Sequence, residues 1–477
     1  MTVVATQIAR ARVAQRALEA GGQELADRAA LAAAWAILKP ENNRRLAEMA
    51  VCETGLGNVE DKVIKNHRKT LGLLRDMQGQ RTIGIIREDR ENGITEISRP
   101  LGVIAAITPS TNPAATPANN IINALKAGNA IILAPSPKGL PVAMALLELI
   151  HQEFKRAQLP LDNAADLVQT LPVAEREMSQ ELMRQADLVV VTGSQNNVRN
   201  GYKSGTPCLG VGAGNVTVII DETADVAAAA AKIAASKTFD NATSCSSENS
   251  LILVASIAEQ AVKELRAVGG VLLDASDKAR LQSVLWQQGG LNRNLLAKGA
   301  ATLIAAIDDV RAQDGLAALT GVENARFLMV QENAIGSDAP YSGEKMAPVL
   351  TLYQAADYPA AVATAEQLLM HQGGGHSVGI HTADDNRAVA LGLQLPACRV
   401  IVNQAHCFAT GGAFNNGLPF SLSMGCGTWG GNSFSGNFNF RHLSQQVQVA
   451  RVIPVREPTL KDIFADYWQI VGETINE

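Results

Sequence analysis

The sequence predicts an α/β protein built on parallel sheets covered by helices. Three observations carry this reading. From Leu101 a strand, loop, helix pattern repeats several times, and from Phe239 the same rhythm resumes. The chain is also long enough for two or three cores, with 477 residues, 47% of them hydrophobic and 18% charged. That apolar content excludes a disordered chain, and a formal net charge of −5 argues against a nucleic-acid partner. The cysteines, Cys52, Cys208, Cys245, Cys398, Cys407 and Cys426, form no CxxC pair. Neither a metal site nor a disulfide framework is expected, and a cytoplasmic setting fits. No apolar run has the length of a membrane span, and the N-terminus lacks the apolar core of a signal peptide.

Taken in order, Ile8, Val13 and Leu18 recur at near-helical spacing, Gly21-Gly22 breaks the run and Pro40 stops it, so residues 6–38 read as two helices and 41–53 as a third. The charges of ETGLGNVEDKVIKNH, Glu53 to His67, read as a solvated face. Residues 81–100 alternate apolar and polar around Asn92-Gly93, the signal of a hairpin, and a protruding hairpin serves assembly. LGVIAAI, NAIILAP, DLVQTLP and ADLVVVTGS then read as parallel strands separated by helices, a dinucleotide-type domain.

Such sheets bind ligands at the carboxyl ends of their strands. Asn112 lies there, in a proline-rich turn that also explains an asparagine without any function. Thr192-Gly193-Ser194 ends a strand and opens a helix, where backbone N–H groups can hold a pyrophosphate; Ser194 as a plain N-cap is the alternative. Pro135, Ser136 and Lys138 follow NAIILAP without the carboxylate that excludes a ribose 2′-phosphate, so NAD and NADP both stay open. GVGAGN, Gly210 to Asn215, is a weak dinucleotide signal because a strand, VTVIID, follows it rather than a helix.

In the second half, FDNATSCSSENS places Cys245 among small polar residues at the edge of a strand. It is the candidate nucleophile: a helix starting there would favour its thiolate at neutral pH, whereas an inert cysteine would pack as a small hydrophobe. Further strands are expected at 250–254, 326–330, 349–353 and 399–403. Glu344 precedes one of them in an exposed loop. His376 follows three glycines and reads either as a proton shuttle or as a hydrogen-bonded structural histidine; His371, His381, His406 and His442 have no such context. Residues 418–443 are too rich in glycine, asparagine and aromatics for a regular helix, and a last strand is expected at 444–452.

FDNATSCSSENS resembles the nucleophile segment of the aldehyde dehydrogenase superfamily. The ETG, DK and KN positions of 53–67, the Asn112-Pro113 pair, the strand-TGS-helix segment, GEKMAP, the glycine-histidine pair at Gly375-His376 and GCGTWGGN resemble its CoA-acylating branch, including the aldehyde dehydrogenase half of bifunctional aldehyde-alcohol dehydrogenases. The resemblance runs from the first helices to about Arg451. It implies a Rossmann-type cofactor domain at 1–80 and 101–238, an α/β catalytic domain at 239–428, and oligomerisation strands at 81–100 and 440–453 that pair with another subunit in a homodimer or homotetramer. It also implies an oxyanion hole made by Asn112 and the Cys245 N–H, ribose contacts from Glu344, and help from His376 in acyl transfer to CoA.

Hydrolytic members carry a water-activating glutamate where this chain has Gly210. The acyl group on Cys245 should therefore persist until a thiol such as CoA arrives through the space the glycine leaves. Ala134 replaces the superfamily's usual lysine. The resemblance thus implies oxidation of a small aldehyde with NAD or NADP and CoA to an acyl-CoA; the alternative is the same reaction on an anionic aldehyde such as sulfoacetaldehyde or succinate semialdehyde. Arg441 is the one candidate for an anionic group, and Phe414 and Phe420 for the substrate entrance. Hydrolysis, and a silent binding protein on this scaffold, are disfavoured.

Overall fold

The computed structural model describes residues 2–472. Four helices open the chain: α1 (Val3–Ala20), α2 (Gly22–Leu38), α3 (Pro40–Thr54) and α4 (Val59–Met77). Pro40 sits in the first turn of α3, where it costs no hydrogen bond, and Gly55 ends it at a φ of +69°. Asn58 caps α4 by accepting from the Asp61 N–H. The face of α4 expected to be solvated is in part buried: Lys62 and Lys65 lie in the interior.

The hairpin forms as β1 (Gly84–Asp89) and β2 (Ile94–Pro100), with Asp89 opposite Ile94. It is followed by β3 (Val103–Thr108), α5 (Ala115–Lys126), β4 (Ala130–Pro135), α6 (Leu140–Arg156), β5 (Val168–Thr170), α7 (Arg176–Gln185), β6 (Leu188–Val191), α8 (Gln195–Lys203) and β7 (Cys208–Gly210). The strands form a parallel sheet in the order β5-β4-β3-β6-β7. Every residue of β3 and β4 is buried, as continuous apolar runs require when helices cover both faces. The order reverses between β3 and β6, which opens a crevice at the carboxyl ends of those strands.

The second sheet contains β8 (Val216–Ile220), β9 (Glu248–Val254), β10 (Gly270–Leu272), β11 (Phe327–Gln331), β12 (Val349–Ala355), β13 (Val378–His381) and β14 (Val400–Val402), with helix α9 (Val226–Thr238) between the first two. It is seven-stranded and parallel, in the order β10-β11-β12-β9-β8-β13-β14. Its pleat splits the core: Val218, Leu251 and Leu253 pack on one face, Ile219 and Ile252 on the other. The boundary expected at 238/239 therefore moves. The chain passes from β7 to β8 within residues 211–215, and β8 and α9 belong to the second sheet.

The end of the chain returns to the first core, where Phe420, Phe438, Phe440 and Leu443 are buried with Leu18 and Ile104. Then β15 (Ser444–Ala450) pairs antiparallel with β2, Ser444 opposite Pro100, to give a three-stranded sheet of β1, β2 and β15. No helix among the described residues is long and apolar enough to cross a membrane.

Candidate active site

Cys245 lies just before β9, after a short 3-10 turn at Phe239–Ala242. No helix starts at the cysteine, so the helix terminus expected to favour its thiolate is absent. What shapes the segment is a run of left-handed residues, Asp240, Asn241 and Ala242, at φ of 50°, 51° and 60°. Such conformations persist only where neighbours over-determine them, and here α4 does so. The buried Asp240 carboxylate accepts from Lys62 at 3.0 Å, Lys65 at 2.5 Å, the Thr243 hydroxyl at 2.6 Å and the Asn58 N–H at 3.0 Å. Its own N–H donates to Asp61 at 2.7 Å. Burial alone would raise the Asp240 pKa; the Lys65 and Lys62 ammoniums outweigh it and hold the carboxyl below its ordinary value.

Lys65 also donates to Thr243 at 3.1 Å and to Asn112 Oδ1 at 2.8 Å, which uses all three of its protons. The bond orients Asn112, just past β3, with its carbonyl oxygen occupied and its Nδ2 hydrogens free of protein acceptors among the described residues. Asn112 lines a pocket together with Ser244 and Ser246, the neighbours of Cys245, and with the aromatic rings of Phe239, Phe408 and Phe420. The pocket holds about 510 Å³ of empty space, mouth included. Lys65, Arg68 and Lys69 of α4 also line it, with Cys407, Leu422 and Met424 among the rest, and no carboxylate does. These cations had no signature in the sequence beyond a charged helix face.

Around the sulfur the backbone is crowded. Gly214 passes so close that a Cβ there would lie 2.7 Å from Cys245 Cβ, and one at Gly212 would lie 2.3 Å from Cys426 Sγ. The space expected beside Gly210 is not there: a Cβ at that position would meet Val198 at 2.6 Å and Tyr202 at 3.1 Å. Burial, with the nearby Glu344 carboxylate and Cys426 adding, pushes the Cys245 thiol up to about 12. The cysteine of the free chain is therefore a thiol at neutral pH, contrary to the expected thiolate. Glu344 is not the solvated loop residue its surroundings in the sequence resembled. It is partly buried and pushed up to about 7 by burial, against the pull of Lys237 and Lys345.

His376 is buried, with Nδ1 at 2.8 Å from the Ser377 hydroxyl, and Nε2 has no partner among the described residues. Burial, then Arg399 and His406, pushes it down to about 3, so it is neutral, and it does not line the pocket. His406, which had no context in the sequence, sits closer to the nucleophile segment: Nδ1 is 3.0 Å from the Ser246 carbonyl. Arg441 lies elsewhere, donating to Gln80 at 3.2 Å and stacking on Phe440. Phe420 lines the pocket, while Phe414 is half exposed and packs against Phe420 with ring centres 4.9 Å apart and planes tilted by 44°.

At the crevice of the first sheet, Thr192 bonds the Ser423 hydroxyl, Gly193 has a φ of +155° and Ser194 caps α8 through the Asn197 N–H at 3.3 Å. Pro135 ends β4, Ser136 starts a 3-10 turn at Pro137–Gly139, and Lys138 is exposed. The Thr108 and Ser136 hydroxyls, at the ends of β3 and β4, are buried without a partner among the described residues. Orphaned polar atoms at a strand-end crevice fit a polar ligand such as a dinucleotide. Among the described residues no cluster of histidine, cysteine, aspartate and glutamate could hold a metal ion.

A nucleophile segment between two parallel sheets, one with a dinucleotide crevice, defines a class of enzyme. Residues 2–272 match the aldehyde dehydrogenase family. The chain is 56% identical to the acylating sulfoacetaldehyde dehydrogenase of Cupriavidus necator over 98% of its own length and 93% of that protein. It is 37% identical to the acylating sulfoacetaldehyde dehydrogenase of Bilophila wadsworthia, over 99% and 100%. An acetylating aldehyde dehydrogenase from Geobacillus thermoglucosidasius has the same fold, with a TM-score of 0.88, 34% identity and coverage of 96% and 98%. The chain belongs to the aldehyde dehydrogenase family. Within it, it is an acylating aldehyde dehydrogenase of the CoA-dependent branch.

Proposed function

We propose that the protein oxidises sulfoacetaldehyde, with NAD or NADP and CoA, to sulfoacetyl-CoA. The observation that carries the substrate is the pocket beside Cys245, which is lined by cations and aromatic rings and by no carboxylate. The rings serve any small aldehyde, but the cationic part of the lining pairs only with an anionic one. Its resemblance to two sulfoacetaldehyde dehydrogenases supports the same substrate.

Cys245 Sγ adds to the aldehyde carbon; as the C–S bond forms the carbonyl π bond breaks, its electron pair going to the oxygen, and the thiol proton passes to solvent water. The oxygen that becomes negative takes hydrogen bonds from Asn112 Nδ2 and the Cys245 N–H, with Lys65 fixing the amide. Thr108, Ser136, Thr192 to Ser194 and Glu344 would hold a nicotinamide dinucleotide, which when bound would supply the hydride acceptor. The acyl group stays on Cys245 as a thioester. With glycine at 210 no carboxylate activates water there, so the acyl group leaves on the CoA thiol and Cys245 regains its proton. The ring of His376, neutral and buried, takes no part as a charged acid.

The test is nicotinamide reduction with sulfoacetaldehyde, succinate semialdehyde and acetaldehyde, each with and without CoA, beside Cys245→Ala. Sustained turnover that requires CoA and favours sulfoacetaldehyde is expected, with none in the variant. Equal turnover without CoA refutes acylation, and a preference for either other aldehyde refutes the substrate.

A further inference from the structure

The cations of the pocket are not equivalent. On α4, Lys65, Arg68 and Lys69 follow helical spacing and share one face. Lys65 is committed: its protons go to Asp240, Asn112 and Thr243, so its donors are used, and its charge is partly offset by the carboxylate it shares with Lys62. Lys69, which burial pushes down to about 7, donates to the Gly411 carbonyl at 2.6 Å and lies 5.5 Å from the centre of the Phe420 ring; in its protonated form two of its protons stay undirected. Arg68 differs from both. Its guanidinium carbon sits 4.7 Å above the Phe408 ring, and among the described residues it makes no hydrogen bond or ion pair to the protein. A partly buried guanidinium stacked on a ring, with its planar fork of N–H groups unspent, is a receptor without its anion. The pocket thus has a reactive end, at Asn112 and the serines beside Cys245, and a cationic end with unspent donors.

We propose that Arg68, with Lys69 beside it, binds the anionic group of the substrate and so sets the enzyme's selectivity for an aldehyde bearing a sulfonate. The inference rests on the reading of sulfoacetaldehyde as the substrate. The tetrahedral sulfonate offers three acceptor oxygens, enough for two from the Arg68 fork and one from Lys69. The Phe408 ring holds the guanidinium plane and keeps water from its back face. Lys65 orients Asn112 instead of contacting the substrate, so one helix serves both ends of the pocket.

The experiment compares wild type, Arg68→Gln, Arg68→Lys and Lys69→Met. Its first readout is the ratio of kcat/KM for sulfoacetaldehyde to that for propionaldehyde. The ratio is expected to fall about 100-fold in Arg68→Gln, less in Lys69→Met, and to be partly restored in Arg68→Lys. A parallel loss on both aldehydes, or none on either, overturns the proposal. The second readout needs no turnover of the proposed substrate: ethanesulfonate, which has no carbonyl, should compete with propionaldehyde in the wild type and at least tenfold more weakly in Arg68→Gln. Equal inhibition of both proteins, or inhibition of neither, also overturns it. If the wild type prefers neutral aldehydes while ethanesulfonate still competes through Arg68, the substrate reading has failed and the anion site stands.

Discussion

At Cys245 the physical chemistry runs against the chemistry proposed for it. A nucleophilic cysteine is expected to be easily ionised, yet burial and Glu344 hold this thiol near 12. Glu344 ionises near 7, so its effect on the thiol switches on above that pH. In Glu344→Gln that repulsion is gone, and Cys245 should be alkylated by iodoacetamide several-fold faster than in wild type at pH 8.5. The two proteins should converge below pH 6, where the wild-type glutamate is already neutral. Peptide mapping by mass spectrometry isolates Cys245 from the other thiols, and equal rates at pH 8.5 would refute the coupling. The position of Cys245 was legible in the sequence because its signal is local: small polar residues before an apolar strand. Its ionisation was not, because Glu344 reaches it from a loop that folds in from far along the chain. The reading of Gly210 was half legible for the same reason. The absent carboxylate can be read from the letters, but the Val198 and Tyr202 atoms that fill the site cannot.

Helix α4 joins the two sheets through a single carboxylate. Asp240 pairs with both Lys62 and Lys65, offsetting one of their two charges, and through Lys65 fixes both the strained turn ahead of Cys245 and the amide of Asn112. Asp240→Asn leaves those buried ammoniums uncompensated and should cost about 3–5 kcal/mol, read from the urea midpoint. The sign of its pH dependence follows from Lys62, which burial and then Lys65 already push down to about 8. Without Asp240 it falls further, so the folded variant sheds a proton that the folded wild type keeps up to about pH 8, and the variant gains stability relative to wild type as pH rises through that window. The loss should be smaller at pH 9 than at pH 6; a pH-independent loss would mean that lost hydrogen bonds, not charge, carry the effect. The existence of α1, α2 and the hairpin was read correctly from glycine and proline punctuation. The burial of α4 was not, since the charge pattern of a helix is silent about a carboxylate that lies 175 residues away in sequence. The domain boundary was placed later although glycine-rich GVGAGN marks the crossing from β7 to β8, because apolar strands flank it on both sides and their letters do not say which sheet each joins.

The whole molecule leaves apolar surface that a single chain does not cover. In the sheet of β1, β2 and β15, the last strand pairs among the described residues on one side only, with β2. Val447 and Val449 on β15 are 40% and 38% exposed, and Ile85 on β1 is 46% exposed. In the helix Leu460–Val471, Ile463 and Ile470 are 62% and 82% exposed. An unpaired edge flanked by valines is a liability unless another strand covers it. A second copy of the chain, pairing through this sheet, would do so, which makes assembly part of stability as well as of size. Light scattering on the eluted protein should give a multiple of the 50.3 kDa chain mass. Replacing Val447 and Val449 together by lysine should shift the mass toward a single chain with the far-ultraviolet circular dichroism retained, because both side chains are exposed and leave the two parallel sheets untouched. Wild type eluting at the mass of one chain would refute assembly. A variant that keeps the full oligomeric mass would place the interface elsewhere, with the exposed face of the C-terminal helix next to be tested.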